Sequence, residues 1–157
     1  TIMNALALSS FLNRNQIDNK VFSARGIAGV AQDYDKNEAL EVLSSGRVGI
    51  FAGGTGNPFF TTDTAACLRA IELQCDIVVK ATNVDGVYSS DPKTDRFAKK
   101  YDSITFNEVI EKDLSVMDMT AVLLCRDHKM PIIVCNIDRE DNLLKAVNGD
   151  PVGTKVS

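Results

Sequence analysis

"FAGGTGNPFFTTDTAACLRAIEL", residues 51–73, opens as the end of an apolar strand and closes as an amphipathic helix. Between the two lie three glycines, four threonines, Asn57, Pro58, Phe59, Phe60 and Asp63. A strand that runs through a small-residue loop into a helix is the junction of an α/β protein. In open α/β sheets, ligands bind beyond the carboxyl ends of the strands. Unpaired backbone N–H groups and the helix dipole favour an anion there. Gly53, Gly54 and Gly56 let backbone approach a ligand without Cβ interference, and Thr61 and Thr62 offer hydroxyls to phosphate oxygens. Asp63 is either the helix N-cap or a catalytic group beside it. The familiar phosphate motifs fail: no lysine occurs between Phe51 and Leu73, and Phe59 stands where a dinucleotide pattern needs glycine.

Outward from this junction the same alternation continues. Residues 20–24, 47–53, 76–82 and 131–136 are continuous apolar runs, as expected for strands covered on both faces. Helical patterns separate them. One starts near Asp35, where Asp35 and Glu38 have capping-box spacing. Others cover about 64–74, the segment after Thr105, about 116–128, and about 142–147 with Gly149 as the stop. The order β-α-β-α-β, an irregular stretch, then α-α-β-α predicts a three-layer αβα sandwich with a mostly parallel central sheet. Residues 1–15 show the apolar spacing of a core helix, through Ile2, Met3, Leu6, Leu8, Phe11 and Leu12. No initiating Met or polar linker precedes them, so the expectation is a piece of a longer protein.

The 157 residues correspond to one domain by length, with 45% hydrophobic and 24% charged residues. A net charge of −4 and the lack of a basic stretch argue against a nucleic-acid partner. No apolar run approaches the ~20 residues of a membrane span. No signal peptide is evident, and the expected location is cytoplasmic. Cys67, Cys75, Cys125 and Cys135 form no Cys-x-x-Cys pair and are expected to be buried free thiols. The only histidine, His128, is expected at a helix end, and no metal-ligating set is predicted.

A second loop, "VVKATNVDGVYSSDP", follows the next strand. Lys80 is placed to meet a phosphate, Tyr88 to line a base, and Asp91 to face a sugar hydroxyl or a metal-bound water. Asp85-Gly86 reads as a turn. Two polar, glycine-bearing loops after successive strands suggest two ligands facing each other.

"GGTGNPFFTTDTAACLRAIEL" and "VVKATNVDGVYSSDP" resemble the corresponding segments of the bacterial uridylate (UMP) kinases, of the amino acid kinase superfamily. "TIMNALAL", "VMDMTAVLLCRDHKMPIIVCN" and "GTKVS" fit the same family, so the resemblance covers essentially the whole chain. It implies transfer of the ATP γ-phosphoryl group to UMP with Mg²⁺, giving UDP. It implies that Thr55, Gly56, Asn57, Pro58, Phe59, Phe60, Thr61 and Thr62 form the UMP loop, Asn57 reading the uracil edge. Thr82, Tyr88 and Asp91 match ATP-binding positions. Asp63 matches an aspartate that orients catalytic lysines, and Asp118 and Lys80 join it as candidate catalytic residues. The family is typically hexameric, with GTP and UTP as effectors. Its essential lysine lies in an N-terminal Lys-Leu-Ser-Gly-like strand that is not in this sequence. The chain therefore resembles the C-terminal two-thirds of an amino acid kinase fold, expected to be inactive alone. Two alternatives stand beside this reading: another amino acid kinase, such as an aspartate, acetylglutamate or carbamate kinase, and a nucleotide-binding module without catalysis.

Overall fold

The structure is a computed structural model that describes residues 1–157. The chain divides into two compact units, Thr1–Ala65 and Ala66–Ser157.

In the first unit, helix α1 (Ile2–Arg14) leads to strand β1 (Asn19–Ser23), the short β2 (Gln32–Asp33), helix α2 (Lys36–Ser44) and strand β3 (Val48–Ala52). The sheet order is β2-β1-β3, all parallel. The register runs from Asn19↔Val48 to Ser23↔Ala52, with Ser23 also paired to Asp33. All three strands thus end at one edge. Phe22 is fully buried and stacks on Phe51 at 5.4 Å, while Tyr34 meets both rings edge-on. Such ring pairs add about 0.5–1.5 kcal/mol each beyond their buried area. Ile2, Ala5 and Leu12 of α1 pack on Val21, Ile50 and Ala52. Met3 and Phe11 point away and are exposed, so the expected core helix is apolar on two sides but packed on one. Asp35 caps α2 by accepting from the Glu38 amide at 2.8 Å. The Glu38 carboxylate bonds Lys20 and Gln32, which ties the helix to β1 and β2.

Helix α3 (Thr62–Glu72) crosses from the first unit into the second. The second unit continues with β4 (Val78–Thr82), β5 (Ser103–Ile104), α4 (Phe106–Glu111), α5 (Met119–Asp127), β6 (Ile132–Asn136), α6 (Asn142–Asn148) and β7 (Thr154–Val156). Its sheet order is β4-β6-β7-β5, parallel except for the antiparallel β6–β7 pair. Its core joins Cys67 and Ala70 of α3, Val109 of α4, Val122 and Cys125 of α5, and Ile132, Val134 and Val156 of the sheet. Thr105 and Glu108 form a complete capping box on α4, a feature worth about 0.5–2 kcal/mol. Gly149 ends α6 with φ 84°. Gly153 is required where β7 turns in beside β6: its φ is +69°, and a Cβ would lie 1.9 Å from the Val134 carbonyl oxygen.

The architecture is the α/β class expected, with parallel pairing dominant. The four apolar runs are β1, β3, β4 and β6. Strands β2, β5 and β7 have two or three residues each and no apolar run to announce them. One thiol departs from expectation: Cys75 follows the end of α3 and is exposed, while Cys67, Cys125 and Cys135 are buried and outside any disulfide. His128 is the C-cap of α5, as its position suggested.

Candidate functional site

The quoted stretch forms the junction it promised. The loop leaves the carboxyl end of β3 through Gly53, Gly54 and Gly56, with φ of 80°, 64° and 75°. The Gly53 N–H donates to Thr1 Oγ1 at 3.2 Å, and the Gly56 N–H to the Gly53 carbonyl at 3.3 Å. Thr55 Oγ1 accepts from the Asn57 N–H at 3.1 Å and donates to the Asn57 carbonyl at 3.3 Å, closing a tight turn. Phe59 has φ 70° and is fully exposed, and Phe60 is about half exposed. Thr61 Oγ1 accepts from the Asp63 and Thr64 N–H groups at 3.1 and 3.3 Å. Thr61 therefore does the capping. Asp63 lies inside the first turn of α3, half-buried, which removes the N-cap alternative for it.

Two residues at the same edge carried no sequence signal. Ser23 ends β1 with its hydroxyl buried and without a hydrogen-bond partner, directly beneath Gly53, where a Cβ would come within 3.0 Å. The adjacent Arg25 is exposed and donates from Nε to the Gly56 carbonyl at 3.1 Å. A buried strand end followed by a basic residue was the only available hint.

In the second unit, the loop after β4 is built on an inner scaffold. Thr154 Oγ1 of β7 is fully buried, accepts from the Val87 N–H at 2.8 Å and donates to the Tyr101 carbonyl. Tyr101 N–H bonds Val87 O, and Ser89 N–H bonds Lys99 O. Tyr88 donates its hydroxyl to Asp85 Oδ1 at 2.6 Å, and Arg139 stands 3.7 Å from the same carboxylate. The Tyr88 hydroxyl, more than the Lys100 and Arg139 charges, holds the Asp85 carboxyl below the usual carboxylate range. The same bond pushes the Tyr88 phenol up. Asp85 is thus more than the turn residue its Asp-Gly pair suggested: it fixes the ring expected to line a base. Asp91 Oδ1 accepts from the Lys93 N–H at 2.9 Å. Tyr88, Asp91, Lys112 and Leu114 line a cavity of about 440 Å³.

At the ends of β4 and β6, Asn136 Nδ2 donates to the Asn83 carbonyl at 3.1 Å and the Ile137 N–H to the Thr82 carbonyl at 2.8 Å. These bonds fix Thr82 against the neighbouring strand. Lys80 lies mid-β4, half-buried. Asp118 is the N-cap of α5 and accepts from the Ala121 N–H at 3.0 Å. A larger cavity, about 690 Å³ between Ile77, Ile133 and Val147, opens at the amino ends of β4 and β6, with Lys100 and Asp102 also on its wall.

Comparison with known proteins gives the family and the fold. A profile of the amino acid kinase family matches residues 1–136. The chain is 53% identical to the uridylate kinase of Pseudomonas fluorescens over 156 residues, covering 99% of this chain and 63% of that protein. It is 50% identical to the uridylate kinase of Vibrio cholerae, covering 100% of this chain and 65% of that protein. The chain thus spans less than two-thirds of the length of these relatives. The structure of UMP kinase from Bacillus anthracis superposes on the whole chain with TM-score 0.97 at 36% identity, over 65% of its own length. That of UMP kinase from Ureaplasma parvum gives TM-score 0.94 at 37% identity, over 67% of its length.

Proposed function

The chain belongs to the amino acid kinase family, and from that premise we propose that it is a portion of an enzyme transferring the γ-phosphoryl group of ATP to UMP. The observation that carries this reading is the TGNPFFTTD loop, set between the end of a parallel strand and the N-terminus of α3. The names of the relatives support it, since both are uridylate kinases.

In this proposal, residues 55–62 receive UMP. The Asn57 side-chain amide and the loop backbone pair with the uracil edge, and Phe59 and Phe60 cover the base. Thr62 and the first turn of α3 meet the UMP phosphate, whose oxygen attacks the γ-phosphorus as the bond to the ADP oxygen breaks. Thr82, Tyr88 and Asp91 hold ATP, with the cavity beside Tyr88 taking the base. Asp63 orients catalytic lysines by its charge, and Lys80 meets a phosphate. Asp118 is assigned to the site by resemblance, alongside its capping role. Mg²⁺ would offset phosphate charge. It binds mainly through substrate phosphates with one or two carboxylates. The family's hexameric assembly, its GTP and UTP effectors and a cytoplasmic location belong to the same proposal.

The test is acceptor choice in the protein made from its complete reading frame. We expect UMP to exceed CMP in kcat/KM by tenfold or more. An amide that pairs with O4 and N3–H of uracil presents the wrong partners to cytosine. An unpaired buried polar group costs about 1–3 kcal/mol. Equal use of the two nucleotides would refute the role given to Asn57. Turnover of a carboxylate or carbamate acceptor would favour another amino acid kinase. UMP binding without turnover would favour a binding module.

A further inference from the structure

Neither lysine nor arginine occurs from Phe51 to Leu68, so any positive charge near the loop after β3 must come from elsewhere in the chain. Arg25 is one such source within the first unit. It follows Ala24, whose N–H extends the β1–β3 ladder by donating to the Ala52 carbonyl at 2.9 Å. The next residue, Gly26, donates its N–H to Asp33 Oδ1 at 2.6 Å. The backbone on both sides of Arg25 is therefore anchored to the sheet. From this fixed base the Nε–H reaches the Gly56 carbonyl.

The contact is seated as well as bonded. Gly56 has φ +75°, and a Cβ there would meet Ala24 Cβ at 3.3 Å and Arg25 Cγ at 3.6 Å. The peptide bond is planar, so fixing the Gly56 carbonyl also fixes the Asn57 N–H on the other side of the same plane. That N–H closes the turn on Thr55 Oγ1. A glycine peptide in this region flips readily once unrestrained. A hydrogen bond from a charged donor is among the stronger ones.

We propose that Arg25 is a positioning residue for the UMP acceptor: through the Gly56 carbonyl it fixes the peptide plane and the turn from which the Asn57 side chain is presented. The inference rests on the reading that residues 55–62 bind UMP. Arg25 acts on the loop and touches no reacting atom.

The experiment compares Arg25→Ala, Arg25→Gln and Arg25→Lys with Asn57→Ala, in the protein made from its complete reading frame. UMP Kd is read by calorimetry, and KM and kcat by coupled assay. Arg25→Ala is expected to raise UMP Kd and KM about 3–10-fold, the range of one net hydrogen bond. It should leave kcat and ATP KM within about twofold. Arg25 is exposed, so the melting temperature should barely move. Arg25→Gln keeps an N–H donor without the charge and should recover most of the loss. Recovery by lysine and not by glutamine would overturn the inference, because the charge rather than the bond to Gly56 would then be at work. An unchanged UMP KM in Arg25→Ala, beside weakened binding in Asn57→Ala, would overturn this inference alone. No effect of Asn57→Ala on UMP Kd would overturn the loop reading with it.

Discussion

The loops after β3 and β4 both leave the carboxyl end of a parallel strand, yet they are held in different ways. The loop after β3 is short and outward. Its bonds include turn contacts, the seat on Ala24 and Arg25, and the Thr61 cap, while Phe59 and Phe60 are exposed. The loop after β4 is longer and braced from below. A buried Thr154 hydroxyl holds Val87, a two-way contact joins Ser89 to Lys99, Ser90 bonds Asp95, and Asp85 fixes Tyr88. A pre-ordered pocket loses little entropy on binding, whereas a sparsely held loop must be ordered by its ligand. In the proposed reading, the braced second loop is the one that takes the ATP base, and the sparsely held first loop is the one ordered by UMP.

The largest effect expected from this contrast is at Asp63. Asp63 is not the cap, so Asp63→Asn should leave α3 and the melting temperature nearly unchanged. If its charge orients a cation during transfer, kcat and kcat/KM should fall together by ~100-fold or more, the size of losing one electrostatic contributor. UMP KM should shift little. Steady-state kinetics and a thermal melt on the one variant, in the protein made from its complete reading frame, decide it. A near-normal kcat would leave Asp63 as an ordinary first-turn carboxylate.

Thr154→Val attacks the bracing of the second loop. The substitution keeps the shape of the buried side chain and removes the hydroxyl that serves Val87 and Tyr101. A buried N–H left unpaired costs about 1–3 kcal/mol. The melting temperature should fall by several degrees and ATP KM should rise, with UMP KM less affected. Thr55→Val, in the sparsely held loop, should change stability by no more than about 0.5 kcal/mol. Equal destabilisation by the two would erase the contrast.

What could be read from the sequence follows the same division. The buried strands declare themselves because burial on both faces leaves an unbroken apolar run, as in "PIIVCN" for β6. The loop after β3 was legible because glycine, threonine and proline report backbone demands locally. Strand β7 was not legible. Its only three residues, Thr-Lys-Val, pair antiparallel with a strand some twenty positions earlier, and pairing over that separation leaves no local periodicity. Thr154 was missed for the same reason, since its partners Val87 and Tyr101 lie more than fifty residues away. Asp85 reads as a turn residue because Asp-Gly is a turn signal. Its second use, holding Tyr88 three positions on, is visible only once both side chains are placed.

The smallest expected effect is a dependence on pH, and it belongs to the second loop alone. Asp85 has its carboxyl held below the ordinary range by the Tyr88 hydroxyl first, then by nearby cations. A depressed folded value means that the stabilisation is fully present above the unfolded value, near pH 3.9. It is lost as pH falls through the folded value. Tyr88 is shifted the other way, upward, by the same bond. Its share is complete below the unfolded phenol value of about 10 and is lost as pH rises through the folded one. The bond is therefore at full strength across neutral pH. The Asp85 and Arg139 side chains are 32% and 66% exposed, so their ion pair should contribute no more than about 1 kcal/mol. Asp85→Asn can still accept from Tyr88 but carries no charge. Subtracting its melting temperature from that of the parent, point by point in pH, cancels the acid response of the other carboxylates. The difference should be small and positive at pH 7, and should shrink towards zero below about pH 4. A difference that stays flat from neutral to acid would mean that the Asp85 charge does not hold Tyr88, and that this loop is braced by Thr154 and its backbone alone.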